Sequence, residues 1–313
     1  MKKFLPLFFI FTLILFTSCS KESKSSRDYA NESINQINID SNIESKYKAA
    51  SVTLNGVSIS SDDGCYNINV TNEKQELVVT GLVTGGIYIS NSNKVTSYKG
   101  LTIVLNGAYI KSDDEATIWY SLQDKNVEII SSENTTNYIL NTSETNDLGD
   151  AIYSENNIEM KLEKKSKLYS YTCLGHTIKA DGDFKITGSG SLQLSSGHDA
   201  IHCHNFTTVN GETFTGSLYV ENAHSQAIEA SKSYGSGTLV ITSGSFTINN
   251  AESVFKVDAE INISGATIKS TGIWADPIVN ASSNTLIVNI SDDASFTVNK
   301  TKYTSCEIEQ KWI

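Results

Sequence analysis

A chain of 313 residues, 39% of them hydrophobic, is long enough to bury a substantial core in one large or two medium domains. Its formal charge of −11, from 24 basic and 35 acidic residues, argues against nucleic acid as a ligand. The same charge means that an acidic polymer would need a bridging cation or a local basic patch in order to bind.

The N-terminus reads as an export segment. Met1-Lys2-Lys3 supplies a positive start, Phe4 to Phe16 an apolar run short for a bilayer span, and Thr17-Ser18 small residues directly before Cys19. This pattern resembles a bacterial lipoprotein signal. The resemblance implies that residues 1–18 are removed and that Cys19 becomes the lipid-modified first residue, anchoring the protein to the membrane in the cell envelope, at the outer membrane or cell surface. Removing residues 1–18 takes away two lysines and no acid, so the formal charge moves to −13. Beyond Cys19, the cysteines Cys65, Cys173, Cys203 and Cys306 are even in number, but their spacing fits no zinc or redox motif, and their pairing stays open.

Residues 19–48 are polar and poor in large apolar side chains, the composition of a solvated tether, with room for a short helix near Ile34 to Ile43. From residue 49 the texture changes. LTIVLN (101–106), NVEIIS (126–131), FKITGSGSLQLSS (184–196), GTLVITSGSFTINN (237–250) and INISGATIKS (261–270) alternate apolar and polar residues at the two-residue period of half-buried strands. No stretch of comparable length shows a helical period, and the only prolines are Pro6 and Pro277.

An internal repeat decides the fold class. The tetrapeptides GDAI (149–152), GHTI (175–178), HDAI (198–201), SQAI (225–228) and ESVF (252–255) end on Ile152, Ile178, Ile201, Ile228 and Phe255, which are 26, 23, 27 and 27 residues apart. A unit of two or three short strands cannot bury its own apolar face. Stacked copies can, by setting Ile on Ile along a continuous interior. The chain is therefore expected to be all-β, a single-stranded parallel β-helix over residues 49–280, with residues 281–313 as further strands and a cap that blocks growth at the open end.

The repeat, together with VTLNGVSIS (52–60), ELVVTGLVTGGIYIS (76–90), the run from Lys99 to Ile139 containing VLNGAYI and NVEII, GDAIYSENNIEM (149–160) and GDFKITGSGSLQL (182–194), resembles a known family. These are exported carbohydrate-binding proteins of right-handed parallel β-helix fold, related to polysaccharide lyase family 9, that bind acidic plant-type polysaccharide with calcium. The resemblance spans about residues 50–272 and implies a polysaccharide partner, polygalacturonate-like or cellulosic, with calcium as the bound ion. In such proteins acidic side chains before Ala-Ile hold calcium through oxygen ligands. Asp150 and Asp199 match that position, whereas His176, Gln226 and Ser253 interrupt the acidic ladder; Asp181 and Asp183 can add oxygens near the next turn, as can Glu155 and Asp258. Aspartate at a turn also serves simply to accept backbone N–H bonds, and both readings stand at this point.

The residue after each repeat Ile forms a second column, Tyr153, Lys179, His202, Glu229 and Lys256, on the outer face. An aromatic ring there offers a flat apolar surface to a sugar, and Lys, His and Glu bond hydroxyls or carboxylates. All five histidines fall between residues 176 and 224, and His202 with His204 lies two apart, a pair suited to sugar hydroxyls or, with His198 or a neighbouring rung, to a transition metal. Trp119 and Tyr120, expected at a turn, suit either sugar stacking or the core.

Two other functions compete with sugar binding. A lyase acting on uronides needs a base, for which Lys179 is the best candidate, but no motif compels it and the single arginine, Arg27, lies in the tether. An adhesin would use the β-helix as a spacer behind a lipid anchor. The chain is expected to be a monomeric binder rather than an enzyme.

Overall fold

The computed structural model describes residues 41–308 apart from 92–97, 123–124, 146–148 and 233–236. The export segment, Cys19, Arg27 and most of the tether lie outside the described residues. What is described is a parallel β-helix in which each turn of the chain lays down three short strands on three faces.

The first face is a separate sheet of nine strands among the described residues, Tyr66–Asn69, Ile87–Ser90, Ala116–Ser121, Asp150–Ser154, Ile178–Ala180, Ile201–Cys203, Gln226–Ala230, Ser253–Val257 and Ile278–Asn280. Its parallel register aligns Ile118, Ile152, Ile178, Ile201, Ile228, Phe255 and Ile278 in one column, the stack that the repeat implies. The second face aligns Leu101, Val127, Ile158, Phe184, Phe206, Leu239 and Ile261. On the third, Leu168, Leu192, Leu218, Phe246, Ile268 and Phe296 stand opposite one another. These columns meet in a continuous interior where every one of those side chains is buried. Each such side chain removed from water contributes roughly 1.5–3 kcal/mol.

The turns between the first and second faces are tied by a ladder of amides and carboxylates. The Asn157 amide donates to Asn126 Oδ1, Asn157 Oδ1 accepts the backbone N–H of Asp183, Asp183 Oδ1 accepts the Asn205 amide, and Asn205 Oδ1 accepts the backbone N–H of Thr238. Stacked turns thereby satisfy polar groups that a lone turn would leave to solvent.

Both ends of the helix are closed by antiparallel pairing. Ser51–Leu54 runs against Gln75–Thr84 at the start, and at the far end Cys306–Ile308 pairs with Leu286–Ile290 and Thr301–Tyr303 with Ser295–Val298. A reversed strand cannot continue the parallel ladder, so these segments protect the edges.

Beyond residue 280 the parallel ladder runs on through Leu286–Ile290 and Ser295–Val298, and the last strands act as a cap. Two expectations need correction. The tether does not run to residue 48: after a one-turn helix, Ser41–Glu44, the Tyr47 ring packs 5.3 Å from Tyr109 and 6.0 Å from Tyr138, and its hydroxyl donates to the carbonyl of Thr136. That aromatic contact holds residues 43–48 against the third face. Trp119 and Tyr120 lie within a strand rather than a turn, Trp119 outward and Tyr120 in the core. Residues 34–40 of the expected helix lie outside the described residues. Cys65, Cys173, Cys203 and Cys306 are all unpaired thiols.

Candidate functional site

Alternation along the first face sends the residue after each buried Ile away from the core, although Glu229 is itself buried there beneath its neighbours. The register places Tyr88, Trp119, Tyr153, Lys179, His202, Glu229 and Lys256 opposite one another on successive rungs. Tyr153, Lys179, His202 and Glu229 thus lie in the column expected from the repeat. Above Tyr153 the column continues as Tyr88 and Trp119, with ring centroids 6.4 Å apart for Tyr88 and Trp119 and 5.7 Å for Trp119 and Tyr153. Sequence reasoning left Tyr88 out because the recognisable tetrapeptide begins only at residue 149; the isoleucines of GGIYIS and EATIWY carry the same frame and would have extended it upward.

Below the aromatic rings the column is charged. The Lys179 ammonium sits 5.1 Å from the centre of the Tyr153 ring, and the Tyr153 hydroxyl donates to Asp181 at 2.7 Å. Lys256 reaches Glu229 at 3.1 Å, and Ser231 donates to the other Glu229 oxygen. The face therefore passes from apolar to charged within about seven rungs at a spacing of about 4.8 Å.

Beside this column, at the corner where the third face turns into the first, lie the residues two positions before each Ile. Asp150, His176, Asp199 and Gln226 occupy successive rungs and are bonded to one another. Asp150 Oδ1 accepts the His176 backbone N–H at 2.7 Å and lies 3.1 Å from its Nδ1, while His176 Nε2 lies 3.4 Å from Asp199 Oδ2. Asp199 Oδ1 accepts the Gln226 backbone N–H at 3.0 Å. Asp199 Oδ2 is also approached by His198 Nδ1 at 3.3 Å and His202 Nδ1 at 3.1 Å. The His176 ring stands 4.6 Å from that of His198 and 4.8 Å from that of His202.

Asp199 is fully buried and Asp150 nearly so. Burial would raise the Asp199 carboxyl, but hydrogen bonds from His176, His198 and His202 outweigh it and hold the group well below the usual carboxylate range. Burial likewise opposes the charged form of His176, and the bonds and charges of Asp150 and Asp199 reverse that, pushing it up to about 9.

Position 176, read as an interruption of an acidic ladder, is the basic member of an alternating ladder. His204 lies just past the end of its strand, its backbone N–H donating to the Gly182 carbonyl, while His176, Asp199 and Glu229 approach the His202 ring. Asp181 is exposed and takes the Tyr153 hydroxyl, and Asp183 belongs to the turn ladder.

A family model described as carbohydrate-binding domain-containing protein matches residues 62–307, from just before the strand Tyr66–Asn69 into the closing strand Cys306–Ile308. The chain belongs to this family. No curated protein and no solved structure gives a significant match. The carbohydrate-binding domain thus coincides with the parallel β-helix itself, and a sugar site is to be sought on its faces rather than on an appended module. A cleft of about 340 Å³ on the second face lies beside the hairpin Val209–Thr213 and is walled by Glu128, Glu159, Lys161, Lys185 and Glu212. Lys161 pairs there with Glu212 at 3.1 Å and Lys185 with Glu159 at 3.4 Å, while Glu128 accepts the Thr102 hydroxyl.

Proposed function

We propose that the protein binds a polysaccharide chain along the outer column of the first face, without cleaving it. The aromatic run Tyr88, Trp119 and Tyr153, continued in register by Lys179, His202, Glu229 and Lys256, carries this reading. A glycan laid parallel to the helix axis meets a new side chain at every rung, about 4.8 Å on, a step comparable to one sugar ring. Rings take the apolar C–H faces, and the polar members bond hydroxyls.

Lys179 supports an acidic chain such as polygalacturonate, since it puts a positive charge in the column of a protein that is otherwise strongly acidic, whereas Lys256 is paired with Glu229. Where a uronide also needs a bridging cation, Asp181 beside Tyr153, with Asp183 in the same turn, is the group to offer calcium its oxygens. Asp150 and Asp199 do not suit calcium, because imidazole nitrogens and backbone N–H groups already surround their carboxylates. Lys179, the base a lyase would use, has its ammonium over the Tyr153 ring, a position that serves sugar contact. The lipoprotein-like start supports a cell-envelope setting with Cys19 as the lipid attachment.

Retention on immobilised polygalacturonate and cellulose, with calcium and with chelator, while absorbance of unsaturated uronides is followed, tests the proposal. Retention without product, weakened by Trp119→Ala and Tyr153→Ala, is the expected result. Product formation would make the protein a lyase, and absence of retention on any glycan would leave a spacer or adhesin.

A further inference from the structure

We propose that His176, Asp199 and His202 form a binding site for a divalent first-row transition-metal ion of the zinc type. The three side chains come from two rungs and offer His176 Nε2, Asp199 Oδ2 and His202 Nδ1, all within 4.8 Å of one another. Zinc bound tetrahedrally at about 2.0–2.1 Å sets neighbouring ligand atoms roughly 3.3 Å apart. The distances from Asp199 Oδ2 are 3.4 Å to His176 Nε2 and 3.1 Å to His202 Nδ1, so two edges of the tetrahedron already have the right length.

The surroundings are those of a built site. Asp150 engages His176 Nδ1, which fixes the ring and turns Nε2 toward the centre, the arrangement in which a carboxylate orients a metal-ligating histidine. Asp199 is held from behind by the Gln226 backbone N–H on its other oxygen. The side chains of His176, Asp199 and His202 are 16%, 0% and 30% exposed, so the centre is shielded but open on the His202 side. His198, half exposed and 3.3 Å from the same Asp199 oxygen, can supply a fourth ligand from that side, and Glu229 lies 3.8 Å from His202 Nδ1. Two imidazoles and one carboxylate suit zinc, cobalt or nickel, whereas calcium takes oxygen. The site does not depend on the glycan reading, although an ion there would sit at the edge of the sugar column and offer its open position to a sugar oxygen.

The test is titration of chelator-stripped protein with cobalt(II), followed by its visible ligand-field absorption, with zinc(II) as competitor and calorimetry for stoichiometry. One ion per chain is expected, with an intense tetrahedral-type cobalt spectrum that zinc abolishes. His202→Ala and His176→Ala should each weaken cobalt at least 10-fold, Asp150→Asn about 10-fold through ring orientation, and His204→Ala not at all. His202→Ala removes a side chain that is 30% exposed and keeps the test sound should Asp199→Asn fail to fold; circular dichroism checks each variant. No cobalt or zinc binding, or binding that survives both His176→Ala and His202→Ala, overturns the proposal, as does a site that takes calcium in preference to zinc.

Discussion

One carboxylate oxygen of Asp150 accepts both the backbone N–H of His176, at 2.7 Å, and its imidazole Nδ1, at 3.1 Å, so that a single side chain fixes both the turn and the ring of the rung that follows. Asp199, two rungs on, divides the same work between its oxygens, Oδ1 taking the Gln226 backbone N–H and Oδ2 facing the ring nitrogens of three histidines.

Replacing Asp199 by Ala should therefore be costly. It leaves His176, raised to about 9 by its two carboxylates, without one of them inside a largely buried corner. Breaking a buried charge pair from one side costs roughly 3–5 kcal/mol. Urea unfolding of chelator-treated protein should show a loss of that order, and a change within about 0.5 kcal/mol would mean that the corner is wetter and less coupled than its geometry implies.

Ile201 is fully buried between Ile178 and Ile228. Ile201→Ala should destabilise by about 2–5 kcal/mol, because neighbouring rungs cannot close the cavity without breaking their own register. Val57, exposed at 68%, is the control, and Val57→Ala should shift stability by no more than about 0.5 kcal/mol.

Gly188 has φ +92°, and a Cβ on it would run into the carbonyl oxygen of Leu162 in the preceding rung. Gly211, at φ +72° in the hairpin, has nothing within 4 Å of that position. Gly188→Ala should lower the melting temperature well beyond Gly211→Ala, whose cost is limited to backbone strain of about 1 kcal/mol. Equal effects would show that rungs can part locally without penalty.

Trp119→Ala and Tyr153→Ala should each weaken glycan retention about 10-fold, equivalent to about 1.4 kcal/mol, with an unchanged far-ultraviolet spectrum. Tyr169→Ala on the third face, where Tyr169 stacks on Tyr138 at 4.8 Å, should leave retention unaltered. The reverse pattern would move the sugar to the third face.

Thiol labelling separates the cysteines by burial. Cys306 is exposed and should react with a thiol reagent in the native protein, while Cys173 and Cys203 are buried, with both thiols pushed up by desolvation, and should react only on unfolding. Reductant should not change the melting temperature, and a drop on reduction would reveal a disulfide among these residues.

The β-helix and its inward columns were legible from residue order alone. Ile152, Ile178, Ile201, Ile228 and Phe255 recur at nearly one period, and alternation then dictates that Tyr153, Lys179, His202 and Lys256 face out, because in a strand the side-chain direction is a matter of parity; Glu229 shares their column but is buried in it. At the corners parity fails: Ala151 and Ile152 are adjacent and both buried, so the direction of Asp150 depends on the turn that precedes it. Only the folded chain shows that Asp150, His176 and Asp199, up to 49 positions apart in the sequence, are joined in one ladder. The same holds for Tyr47 lying on Tyr109 and for the hairpin over the second face, both contacts between elements outside the repeat. Periodicity determines which residues share a column, since stacking copies one rung onto the next; which columns meet at a corner is decided by turn geometry, which no period encodes.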